Sequence, residues 1–82
     1  MKYFTTKCFD REFAKMPRMV QKAFSERIVF LVENVRHPSL RAKKFDETTG
    51  VWQMRITKNI RVFFRIEGDT YQLMNIRKHW IK

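Results

Sequence analysis

The chain is poor in cysteine, glycine, proline and acid, and each shortage excludes something. A single cysteine, Cys8, rules out an intrachain disulfide and any zinc site built from cysteines. Two glycines, Gly50 and Gly68, leave no material for a Gly-rich phosphate loop. No apolar run approaches the roughly 18 residues of a membrane-spanning helix. The opening "MKYFTTKCFDREF" lacks the apolar stretch and small-residue cleavage site of a signal peptide, so the expected location is the cytoplasm. Internal repeats and low-complexity segments are absent, and no His/Cys/Asp/Glu grouping has metal-ligand spacing, so neither metal nor cofactor is expected. Acid is the most telling shortage. Eight Asp and Glu stand against 18 Lys and Arg, a net charge of +10 on 82 residues. Such an excess accelerates and strengthens encounters with a polyanion. A membrane surface or an acidic protein partner fits the same number.

What is present suffices for one domain, residues 1–82. A chain of this length buries only about 60–65% of its extended surface, yet a hydrophobic fraction of 44% with eight Phe and two Trp supplies a real core. "MKYFTT" reads as a short first strand. Thr5, Thr6 and Asp10 are candidate caps for a short helix in "CFDREFAKM", with Phe9, Phe13 and Met16 on one stripe. Pro17 suits the first turn of the next helix. There Val20, Phe24, Ile28, Leu31, Val32 and Val35 follow the spacing of a buried face, up to Pro38. "HPSLRAKKFDETTG" is polar and irregular, with Leu40 and Phe45 as expected core anchors. The period then switches to two: Trp52, Met54 and Ile56, a turn at "KN", then Ile60, Val62, Phe64 and Ile66, and a turn at "EGD" where Gly68 can take a positive φ. Alternation places Tyr71, Leu73, Asn75 and Arg77 on one face of the last strand and Gln72, Met74 and Ile76 on the other. The expected fold is α+β, a helical hairpin across a small, mostly antiparallel sheet.

Alternation also puts Arg55, Arg61 and Arg65 together on the face away from the helices, with Arg77 arriving from the last strand. Like charges directly opposite on neighbouring strands cost stability. A solvated face on a basic protein accounts for the pattern; so does an anion seated among the arginines. Arginine offers a rigid fork of donors matched to phosphate, and Phe63 on the same face, joined by Tyr71 if the register allows, suits stacking on a base. A carboxylate-rich peptide fits as well. RNA can be cut without metal when its 2′-hydroxyl attacks the adjacent phosphate, given a base, cations for the developing charge and an acid for the leaving oxygen. Arginine fills the middle role. His79, with an unperturbed pKa near 6.5 that neighbouring arginines push down, is the natural proton carrier. Lys43 and Lys44 are candidates for a backbone phosphate, Asp46 and Glu47 for a carboxylate base. His37 reads as a residue facing the dipole of a helix end, and Cys8 as an inert, partly buried thiol.

These residues carry a pattern. "HPSLRAKKFDETTGVWQMRITKNIRVFFRI" followed by "YQLMNIRKHW" resembles the RelE/ParE superfamily of toxins from type II toxin–antitoxin pairs, and is most similar to its YoeB-like and YafQ-like mRNA interferase branch. The resemblance spans essentially the whole chain. It implies a RelE-like microbial ribonuclease fold, a cognate acidic antitoxin, and cleavage of mRNA on the 70S ribosome. Carried over by position, it gives Arg61 to the scissile phosphate, His79 to proton transfer and Arg55 to the basic position after the tryptophan. Arg77 is similar to the arginine preceding the closing histidine. Lys43, Lys44, Phe63, Arg65, Arg77 and Trp80 are then the RNA-binding set. Four positions depart from the pattern: Trp80 stands where YoeB-like toxins close on tyrosine, the lysine pair of RelE falls on Trp52 and Met54, and the YoeB glutamate falls near Ala42. Two other functions attach to the same resemblance, a ParE-like gyrase inhibitor and a degenerate relative kept for partner binding.

Overall fold

The structure, a computed structural model, describes residues 1–78. Its elements in order are β1 (Lys2–Thr5), α1 (Lys7–Ala14), α2 (Arg18–Glu33), a single 3₁₀ turn (Pro38–Leu40), β2 (Lys43–Asp46), β3 (Val51–Arg55), β4 (Ile60–Glu67) and β5 (Thr70–Lys78). The strands form one sheet in the order β1-β5-β4-β3-β2, with β1 parallel to β5 and every other pair antiparallel. Both helices pack on one face, as the α+β reading expects.

Thr6 starts the helical hairpin and does two things. Its hydroxyl oxygen accepts from Phe9 N–H at 3.1 Å, capping α1, and its proton goes to Met74 C=O at 3.0 Å, tying the helix start to β5. Pro17 stands immediately before α2, and its carbonyl accepts from Val20 and Gln21. Gln21 Nε2 donates back to Phe13 C=O at 3.0 Å and joins the two helices. Phe9, Phe13 and Phe24 meet ring to ring at 5.2–5.8 Å. Val20, Phe24, Ile28 and Leu31 face the core, with Val32 and Val35 packed partly buried against it. The sheet answers with Met54, Ile56, Ile60, Val62, Phe64, Tyr71, Leu73 and Ile76.

Four expectations are corrected. The polar segment after Pro38 contains a strand: β2 pairs with β3, Lys43 opposite Gln53 and Lys44 opposite Trp52. Polar side chains hide an edge strand because its outward residues bury nothing. Phe45 is not a core anchor. It sits at the β2 irregularity, 56% exposed, and meets Phe63 edge-on at 5.0 Å on the open face. In β5 strict alternation fails at Met74, where the register slips: Phe63 pairs with Asn75 but Phe64 with Leu73. This one-residue bulge brings Ile76 into the core beside Tyr71 and Leu73, and turns Asn75 and Arg77 to the open face. Tyr71 is thereby buried in the core and absent from the arginine face. His37 does not address the α2 dipole. Its Nδ1 accepts from Ser39 N–H at 3.2 Å, starting the 3₁₀ turn, while its ring stacks on Phe30 at 4.1 Å.

Candidate functional site

The open face is built by cross-strand register. Arg55 lies directly opposite Arg61, and Arg61 directly opposite Arg77, so three arginines form one row across β3, β4 and β5. The next row is Lys43, Gln53, Phe63 and Asn75. Trp52 and Met54 point the other way, Trp52 stacking on Phe64 and Met54 fully buried. On β3 the open-face side chains are therefore Gln53 and Arg55, one residue along from the positions the resemblance assigned to the RelE lysines. Ala42 packs against the core.

Where the two rows meet β2 lies a cleft of about 250 Å³ lined by Arg41, Lys43, Gln53, Arg55 and Arg61. Four cations and one amide surround it, and among the described residues no carboxylate does. Arg61 is fixed in place: its Nη1 donates to the carbonyls of Thr57 at 2.9 Å and Lys58 at 3.2 Å in the β3–β4 turn and of Ile60 at 3.3 Å at the start of β4. Burial, and then the charges of Arg55 and Arg41, lower the pKa of Arg61 from its ordinary value. It remains a cation at working pH, but one whose charge the surroundings do not balance. Gln53 forms the buried floor, and its Oε1 has no hydrogen-bond partner. A buried polar group left open in this way is a cost that a bound group would remove. Arg41 reaches the cleft from the left-handed region, at φ 48°. A non-glycine residue is strained there, and such strain collects at functional sites.

Beside the cleft is a hollow of about 540 Å³ whose apolar walls are Phe45, Val51, Phe63 and Met74, with Asn75 and Arg77 at its border. Arg77 is not a free member of the row. Its Nε donates to Glu12 Oε2 at 2.6 Å, and Glu12 Oε1 takes Asn75 Nδ2 and Ile76 N–H, each at 3.1 Å. Burial pushes the Glu12 carboxyl up, but hydrogen bonds from Arg77, Asn75 and Ile76, with the Arg77 charge, outweigh it and hold it below its ordinary value. Asn75 also donates to Cys8 Sγ at 3.2 Å.

Of the residues expected from the sequence, the structure brings Arg55, Arg61 and Lys43 into the cleft and Phe63 into the adjoining hollow. Arg65 lies farther along β4, opposite Gln72, with its Nε buried and unpartnered. Lys44 is set apart. It is opposite core-facing Trp52 and pairs with Glu47 at 3.8 Å. Asp46 lines the hollow beside the cleft and accepts from Thr48 N–H in its own turn. His79 and Trp80 lie outside the described residues. Sequence reading missed Arg41, Gln53, Phe45 and Glu12 as parts of this face. Only the Arg41 charge was visible, whereas its backbone angle, the β2 register and the bulge that exposes Asn75 were not. Among the described residues, no group of three or more His, Cys, Asp or Glu could hold a metal ion, and no helix is long and apolar enough to cross a membrane.

No protein-family model and no curated protein matches the chain. Solved structures do. A YoeB/ParE toxin from Agrobacterium tumefaciens superposes with a TM-score of 0.81 at 16% identity, over 98% of this chain and 100% of that one. The archaeal RelE–RelB complex from Pyrococcus horikoshii OT3 gives 0.81 at 14% identity, over 99% and 97%. The YoeB–YefM complex from Staphylococcus aureus gives 0.78 at 10%, over 98% of both. At these identities the likeness speaks for the fold, and over essentially its whole described length the chain has the fold of the RelE, YoeB and ParE toxins.

Proposed function

We propose that the chain is the toxin of a type II toxin–antitoxin pair, a cytoplasmic endoribonuclease that cuts mRNA on the 70S ribosome without metal. The observation that carries this reading is the cationic cleft of Arg41, Lys43, Arg55 and Arg61 beside an aromatic hollow on the open face. Arg61 and Arg55 hold the scissile phosphate, and the flanking base rests against Phe63 and Phe45. The ribose 2′-oxygen attacks phosphorus and the 5′-oxygen leaves, giving a 2′,3′-cyclic phosphate and a 5′-hydroxyl. Charge builds on the non-bridging oxygens in the transition state, and preformed guanidinium donors stabilise it there. Because three carbonyls already fix Arg61, little reorganisation accompanies that step. Gln53 Oε1 is an open acceptor for a ribose hydroxyl. His79 carries the proton, one residue beyond Lys78, which pairs with Ile60 next to Arg61. Trp80 and Arg65 extend the RNA surface. A cognate antitoxin of acidic character covers the +10 chain; among the relatives, RelE and YoeB have been seen with RelB and YefM.

The test is induced expression without antitoxin, with mapping of message 5′ ends. In-frame cuts that fall about 10²- to 10³-fold in Arg61→Ala support the reading. One observation favours a second reading: among the described residues, no group titrating near neutrality lines the cleft. A ParE-like binder needs none. Growth arrest with intact messages would move the assignment to that binder.

A further inference from the structure

A second hollow, about 440 Å³, adjoins the Arg61 cleft. Arg27 lines it from α2, Ser39 and Arg41 from the 3₁₀ turn and the residue after it, Arg55 from β3, and Thr57 and Lys58 from the β3–β4 turn. Arg41 and Arg55 line both hollows. Among the described residues no carboxylate lines either one, and none of these cations forms an ion pair. Arg27 Nε is buried without an acceptor, a state native structures avoid. Thr57 Oγ1 accepts from Ile60 N–H at 3.2 Å, which leaves its proton to donate.

Two anion sites with a shared cationic wall suit a ligand whose charges repeat at short, fixed spacing. A free phosphate or a single carboxylate fills one and leaves the other open. We infer that the Arg27–Lys58 hollow binds the phosphodiester next to the one in the Arg61 cleft, so that a single RNA strand passes over Arg41 and Arg55 with one phosphate on each side. This rests on the RNA reading above and adds to it the path of the strand. Arg27 and Lys58 are then binding residues for the strand and stand clear of the scissile bond.

The experiment titrates the intact chain, followed by its backbone amide spectrum, with two 2′-O-methyl oligonucleotides that lack terminal phosphates. One is a dinucleotide with a single phosphodiester, the other a trinucleotide with two; methylation removes the nucleophile. The variants are Arg27→Gln and Lys58→Gln. The latter changes only an exposed side chain and leaves the carbonyl that Arg61 uses, so it reports even if Arg27→Gln fails to fold. In the unsubstituted chain the second phosphodiester tightens binding about fivefold to tenfold and steepens the salt slope by about 0.7. Each variant loses most of that gain and binds the dinucleotide unchanged. A gain that survives in the folded variants overturns the inference, as does a trinucleotide that gains nothing in the unsubstituted chain. Equal loss for both oligonucleotides would mean a single site and overturn it too. If the unsubstituted chain binds neither, the RNA reading itself fails and the inference falls with it.

Discussion

Arg41 concentrates the tension between folding and function in one residue. It follows the 3₁₀ turn at φ 48°, where an L side chain costs about 1–2 kcal/mol over ordinary angles, and its charge adds to the repulsion felt by Arg61. Neither feature helps the fold. Arg41→Gly should relieve the strain, offset by about 0.5–1 kcal/mol of extra chain entropy, so thermal stability stays within about 1 kcal/mol of the original. RNA cleavage and binding should fall severalfold in the same variant. Stability measured by denaturant and activity measured on the same sample would separate the two effects. A large loss of stability would show that Arg41 serves the fold. By contrast, the three carbonyls around Arg61 Nη1 make that guanidinium both anchored and unbalanced, and lysine's single nitrogen cannot anchor itself there and present a planar fork to a phosphate as well.

At the scale of elements, β5 shows how a strand can serve two neighbours. Its first half pairs with β1 up to Thr5 opposite Leu73. After the Met74 bulge, α1 takes over that edge, with Glu12 Oε1 accepting the Ile76 N–H that a strand would have used. The same carboxylate neutralises the outermost arginine of the row. Glu12→Ala should cost about 1–3 kcal/mol, since it leaves donors without acceptors, while Glu12→Gln keeps an acceptor and should cost less. The pH dependence has a definite sign. Glu12 is held below its ordinary value of 4.5 in the folded chain, so its contribution is full above that value and is lost as pH falls through the folded pKa. Acid unfolding of Glu12→Gln should therefore be shallower than that of the original chain. Identical acid profiles would contradict the assignment.

The same elements explain what was legible beforehand. The spacing of Val20, Phe24, Ile28 and Leu31 announced α2. Alternation placed Arg55 and Arg61 on one face, but the two-residue turn read at "KN" would have set Arg55 opposite Val62, and only the observed register sets it opposite Arg61. The bulge at Met74 was not legible, because a bulge inserts a residue without altering composition and β5 alternates plausibly in either register. β2 was not legible either, since Lys43, Lys44 and Asp46 carry no apolar periodicity. The open cleft depends on β2 and the adjoining hollow on the bulge, which is why the row of arginines was foreseen and the cleft that uses Arg41 and Gln53 was not.

For the whole molecule, charge and size act together. A chain carrying +10 on 82 residues gains from any acidic partner that binds only the folded state. At about 1,000 times its Kd, such a partner adds roughly 4 kcal/mol to stability. A rise in melting temperature with such a partner should shrink steeply as salt increases, because surface attraction is screened over about 10 Å at 0.1 M. Salt-independent stabilisation would mean that the partner binds through apolar contact, with Met19 and Val29 on α2 and Tyr3 and Phe4 on β1 among the exposed candidates. The most direct test of the central claim uses the purified chain, ribosomes carrying a defined message, and chemical analysis of the product ends. The account predicts 2′,3′-cyclic phosphate and 5′-hydroxyl termini in chelator, formed by the unsubstituted chain and lost in Arg61→Ala of unchanged fold. Uncut message, or termini that persist in Arg61→Ala, would contradict it.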